Sequence, residues 1–263
     1  MSTLLPAWAD AFVPPRPVPT AGLPVPPEWA DSDGAGVRVA VVDSGVDEAH
    51  ALVRGPFAVG AALSYEDGAV VVHEGPHEDL FGHGTACAAI VRGHAPGCEI
   101  MSVRVLGERL KGKGLVFAAG LRWALEHGAR VLNLSLSSSK PELAGILREA
   151  TDAAAHAGAV VVCAMNNVAA PTYPSQFANV ISVAAAAGDD LLIADTAPAD
   201  FGAPGLDVPV AWLDGGTITA TGNSFAAPWV AGLAARILAA HPELRPYEVK
   251  TVLRGLASNG RPA

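Results

Sequence analysis

Charge is scarce in this chain. Of its 263 residues only 16% are Asp, Glu, Lys or Arg, and acids outnumber bases 26 to 17, for a formal net charge of −9. A net charge of that sign repels phosphate, so no nucleic-acid partner is expected. An apolar content of 51% is too high for a disordered chain. Long apolar runs are missing too: stretches such as residues 177–188 stop short of the roughly 18 apolar residues of a membrane span, so no membrane partner is expected. Cysteine is rare and odd in number. Cys87, Cys98 and Cys163 sit in apolar surroundings, which suits buried thiols in a reducing compartment better than a disulfide framework. The first 30 residues lack a basic start followed by an apolar core and carry eight prolines instead, from Pro6 to Pro27. They read as an extended, irregular arm, and a cytoplasmic location is the expectation.

What remains, residues 31–263, reads as one domain in which two patterns alternate. Residues 37–42 are a β-branched apolar run of the kind a fully buried parallel strand shows, and 100–106, 131–136, 160–164 and 180–184 repeat it. Between them, residues 141–156 place Leu143, Ile146, Leu147 and Ala150 at helical spacing, with Pro141 at the start and Gly158 just past the end. Residues 116–126 and 226–240 also read as helices. This rhythm predicts an α/β fold with a doubly wound, mostly parallel sheet, helices on both faces, and a functional site at the carboxyl edge of the strands.

Four short stretches carry candidate chemistry. Asp43 closes the run Val41-Val42-Asp43-Ser44-Gly45, where an acid is most often a turn former. His83, in Gly82-His83-Gly84-Thr85, is flanked by glycines that let other groups approach the imidazole. Ser224, in Thr221-Gly222-Asn223-Ser224-Phe225-Ala226-Ala227-Pro228, begins a helix, where free N–H groups stabilise negative charge and where a serine is otherwise an ordinary cap. Asn166 and Asn167 end the strand that starts at Val160 and offer amide donors to an oxyanion. Each signal is weak alone. Together, Asp, His and Ser in this order are one of the known orders of a nucleophilic triad.

On those motifs, with Asn133-Leu134-Ser135-Leu136 and Ala203-Pro204-Gly205 in support, the chain resembles the subtilisin-like (subtilase) serine peptidases over roughly residues 37–256. The resemblance implies a serine endopeptidase acting on a peptide or protein substrate through an acyl-enzyme, with no cofactor and no catalytic metal. Ser224 is then the nucleophile, His83 its base, Asp43 the partner of the imidazole. Asn167 is the aligned oxyanion donor, with Asn166 the alternative one residue away. The peptide pairs with Ser135, Leu136 and Ser137, and Ala164, Met165 and Asn166 form the facing wall of the first specificity pocket. Side chains at Ser137 and Asn166, where relatives have glycine, predict a small, polar pocket.

The departures from the family are informative. Asn223 replaces the threonine before the nucleophile, as an extra oxyanion donor or as a helix cap. Leu52 stands where secreted relatives have an aspartate calcium ligand, and residues 92–96 lack their calcium loop, so the principal calcium site is expected to be absent. The 42 residues before Asp43 are fewer than a folding propeptide needs, so either the chain folds unaided or a propeptide lies outside this sequence. These features predict narrow, intracellular specificity, such as precursor or leader processing. The rivals are a transpeptidase or macrocyclase and a catalytically silent peptide-binding module. His73-Glu74-Gly75-Pro76-His77 matches the H-E-x-x-H zinc pattern, but Gly75 and Pro76 oppose the helix it needs, and the segment reads as a polar loop. Gly112-Lys113-Gly114 lacks the flanking residues of a phosphate loop and reads as a border of the substrate cleft.

Overall fold

A computed structural model describes residues 27–168, 170–195 and 198–260; most of the proline-rich arm, residues 1–26, lies outside the described residues. The first strand, β1 (Arg38–Asp43), is buried from Val39 onward, and its two faces feed two different cores. Val39 and Val41 pack with α1 (His83–His94), α4 (Asn223–Ala240) and α5 (Pro246–Leu256) through residues such as Val91, Val230 and Leu253. Ala40 and Val42 pack with α2 (Gly114–Glu126) and α3 (Ala144–His156) through Phe117, Leu121 and Leu147. Burial on both faces is what the apolar run Val39-Ala40-Val41-Val42 encodes, and each buried valine contributes about 1.5–2 kcal/mol.

Around β1 the sheet takes the order β3-β2-β4-β1-β5-β6-β7-β9-β8. Its members are β2 (Ala61–Glu66), β3 (Ala69–Glu74), β4 (Glu99–Arg104), β5 (Val131–Leu134), β6 (Val160–Ala164), β7 (Ile181–Ala186), β8 (Leu192–Ile193) and β9 (Phe201–Pro204). The ladders from β2 to β9 are parallel; the edge pairs β2·β3 and β8·β9 are antiparallel. A two-stranded ribbon, β10 (Val208–Ala211) and β11 (Thr217–Ala220), precedes α4. The doubly wound architecture expected from the sequence is thus present. Among the described residues no helix is long and apolar enough to cross a membrane.

Three expectations need correction. The segment read as a polar loop at residues 73–77 begins in β3, which holds His73 and Glu74, because Asp67 and Gly68 both adopt positive φ and turn β2 back on itself. His73 faces Glu66, whereas His77 bonds the Gly75 carbonyl and the Ser102 hydroxyl, so a strand replaces the helix that zinc ligation requires. The run 131–136 leaves the ladder after Leu134, and α4 begins three residues earlier than its apolar pattern, at Asn223.

Candidate active site

Strand order reverses at β1: the chain adds β4 on one side of it and β5 on the other. Crevices at such switch points receive ligands, and Asp43 ends β1 there. Its fully buried carboxylate accepts the Ser44 N–H at 2.8 Å and faces His83 Nδ1 at 2.8 and 2.9 Å. A carboxylate only accepts, so Nδ1 carries the proton and Nε2 is the basic nitrogen. Burial works to lower the imidazole's pKa, but the charge and hydrogen bond of Asp43, reinforced by the charge of Asp79, outweigh it and hold His83 above the ordinary 6.5.

The glycines beside His83 have separate tasks. Gly82 takes φ +99°, a left-handed turn into α1. A Cβ on Gly84 would stand 1.9 Å from the Gly45 carbonyl oxygen, so only glycine lets the helix start touch the end of β1. The junction is fastened by Asp79, which the sequence reading missed. Its Oδ1 accepts the N–H groups of Phe81 and Gly82 and the Ser44 hydroxyl, while Oδ2 accepts the Thr85 N–H and hydroxyl. The Ser44 hydroxyl in turn accepts the Gly84 N–H at 3.1 Å. Burial pushes the Asp79 carboxyl up, yet these hydrogen bonds hold it below its usual value. The available signal was an acid placed four residues before a glycine-led helix start.

Ser224 lies in the first turn of α4, behind Gly222. Pro228, four residues on, has no N–H to give the Ser224 carbonyl. That carbonyl accepts the Ser135 hydroxyl at 2.7 Å and the buried Cys87 thiol at 3.6 Å instead, and Cys87 also reaches the Ser135 hydroxyl at 3.2 Å. The Ser224 hydroxyl points at the Ser135 carbonyl, 3.4 Å away. His83, Asn167 and Ser224 border one cleft of about 230 Å³. The six residues expected to bind substrate border it as well: Ser135, Leu136 and Ser137 continue from β5, and Ala164, Met165 and Asn166 follow from the end of β6.

The asparagines resolve by their partners. Asn167 Oδ1 accepts the Asn223 N–H at 3.0 Å, which fixes the amide orientation and leaves Nδ2 as a donor near Gly222. Asn166 turns its Oδ1 back onto the Val168 N–H. Asn223 fills neither role expected of it. Its Oδ1 accepts the Ala185 N–H at 2.7 Å and its Nδ2 donates to the Met165 and Asn166 carbonyls, so both ends of the amide hold the cleft wall.

The model of the subtilase family matches residues 34–262. The chain belongs to the subtilase family. This is the family of subtilisin-like serine endopeptidases. The subtilase is 32% identical over 240 residues to M-protease of Shouchella clausii (strain KSM-K16), covering 86% of this chain and 60% of that protein. It is likewise 32% identical to Subtilisin Savinase of Lederbergia lenta, covering 86% and 85%, and 30% identical to Thermitase of Thermoactinomyces vulgaris, covering 81% and 78%. A crystal structure of a cold adapted subtilisin-like serine proteinase superposes with a TM-score of 0.73 at 26% identity, over 88% of this chain and 87% of that one.

Two places in the subtilase bear on metals. Ligand atoms of Asp43, His83 and Cys87 lie within 4.8 Å of one another. There, Asp43 already holds the imidazole, and burial pushes the Cys87 thiol well up, which keeps it protonated. Beside Leu52, the buried guanidinium of Arg92 donates to the carbonyls of Val53, Pro56, Pro96 and Cys98. A divalent cation does not fit carbonyls that already face a positive charge.

Proposed function

We propose that this subtilase hydrolyses peptide bonds through an acyl-enzyme, with Ser224 as nucleophile, His83 as general base and then acid, and Asp43 holding the imidazole tautomer and stabilising the imidazolium. The observation that carries the reading is the buried Asp43–His83 pair opening onto the cleft that Ser224 and Asn167 border. In this reading a change of χ1 rotamer turns Ser224 from the Ser135 carbonyl to Nε2, an ordinary adjustment on substrate binding. Negative charge developing on the carbonyl oxygen meets the Ser224 N–H and the Asn167 Nδ2 donor.

The finer reading is narrow, intracellular processing of a precursor or leader peptide. Side chains at Ser137 and Asn166 along the cleft support restricted specificity, and three buried, unpaired cysteines suit a reducing compartment. A serine-directed fluorophosphonate probe, followed by product mass, tests the function. Labelling at Ser224 and products that have gained water are expected. A folded, unlabelled protein would point to the silent binding module, and a product without added water to transpeptidation.

A further inference from the structure

Arginine supplies 13 of the chain's 17 basic residues, and lysine only four: Lys111, Lys113, Lys140 and Lys250. Three of these four border a single cavity of about 520 Å³, with Glu142 as its one acidic neighbour. In a chain of net charge −9, this cavity is an island of positive charge. Among the described residues its lysines are not spent on ion pairs. Among the described residues Lys250 pairs with Asp200 at 2.8 Å, whereas Lys111, Lys113 and Lys140 have no carboxylate within ion-pair distance. Lys113 Nζ lies 3.5 Å from the centroid of the Tyr65 ring, a contact that leaves it without a counter-charge.

The cavity continues the cleft. Leu106, Leu110, Leu136 and Ser137 border both, and Ser138 borders the cavity beyond them. The backbone from Ser135 to Ser138 therefore leads from the candidate nucleophile into the lysine cluster, about 10 Å along an extended chain. A peptide laid antiparallel on this segment carries the residues before its scissile bond into the cavity. Phe117 and Leu143, which border the same cavity, offer apolar surface to the methylenes of a side chain whose acidic head pairs with the lysines.

We propose that this cavity selects peptides with an acidic residue, Asp or Glu, about two to four positions before the scissile bond. The inference rests on the peptidase reading above and names the substrate class for that site. Contacts on that side persist while the acyl group stays on the serine, so they act on both chemical steps.

The test is cleavage of a positional peptide library, followed by matched Asp/Asn and Glu/Gln pairs built on the best-cleaved sequence. The expected result is a preference of about tenfold in kcat/KM for the acid at one of those positions, consistent with two or three partly solvated ion pairs. The preference should fall towards unity in about 0.5 M salt and in the triple variant Lys111→Ser, Lys113→Ser, Lys140→Ser. Lys113→Glu should turn it towards basic residues. Arg122→Gln, a surface cation outside the cavity, serves as the control for a general charge effect. Cleavage indifferent to charge, or an acid preference that the triple variant keeps, overturns the inference and leaves the peptidase reading standing. No cleavage of any peptide, with no fluorophosphonate labelling, removes both.

Discussion

The Ser44 hydroxyl donates to Asp79 Oδ1 at 2.8 Å, and this bond joins the strand that ends in Asp43 to the turn that starts the His83 helix. Asp43 and His83 come from different elements, so their contact depends on this junction. Asp79→Asn turns an acceptor into a donor facing the Thr85 N–H, and a loss of about 2 kcal/mol in denaturant unfolding is expected, with a lower kcat. The folded Asp79 carboxyl is held below its unfolded value, so its stabilisation is present above the unfolded pKa and disappears as pH falls through the folded one. The gap between wild type and Asp79→Asn should therefore narrow in acid. A constant gap would assign the loss to packing.

Ser224→Ala and His83→Ala should each remove most peptidase activity, more than about 10³-fold, and the double variant should be little worse than either. Additive losses in kcat/KM would show that the two residues do not act as a unit.

The base must be neutral to accept the serine proton. With His83 raised above 6.5, the acid limb of kcat/KM against pH should have its midpoint above that value. The sign for stability is opposite: the ion pair with Asp43 stabilises fully below the unfolded histidine pKa and its contribution is lost as pH rises through the folded one. Asp43→Asn should lower kcat by about 10⁴-fold and move the limb to lower pH. A wild-type midpoint below 6.5 would contradict the coupling.

Asn167→Ala removes the free Nδ2 donor and should cost about 3–4 kcal/mol of transition-state stabilisation, read as a fall in kcat at nearly constant KM. Asn166→Ala, whose oxygen is folded onto its own loop, should cost far less. The reverse ranking would move the oxyanion donor by one residue.

Arg92 ties four carbonyls from two segments. Arg92→Met leaves them without donors and should destabilise by about 3 kcal/mol or more in thermal unfolding. In wild type, EDTA should shift the melting temperature by less than about 1 °C, because a fixed guanidinium has no mass-action term. A large drop with EDTA that Ca²⁺ reverses would refute the assignment.

The parallel centre of the sheet was legible because burial on both faces demands valine-rich apolar runs, and residues 39–42 and 160–164 are such runs. The β2–β3 hairpin was not, because half-exposed edge strands carry mixed residues such as His73 and Glu74, although Asp67-Gly68 is a hairpin turn signal. The candidate site residues were legible as chemical types in an order. Their fastenings were not: Asp79 looks like any cap, and Asn223 reveals its amide contacts only when the ends of β6 and β7 are brought together.

Pro228 removes one rung from the hydrogen-bond ladder of α4, and the carbonyl it releases belongs to Ser224 itself. The bond from Ser135 ties the candidate nucleophile to the segment proposed to pair with the peptide, at adjoining atoms. Under the proposed mechanism, a peptide that displaces that segment pulls on the Ser224 backbone through the same bond, so substrate and hydroxyl share one point of reference.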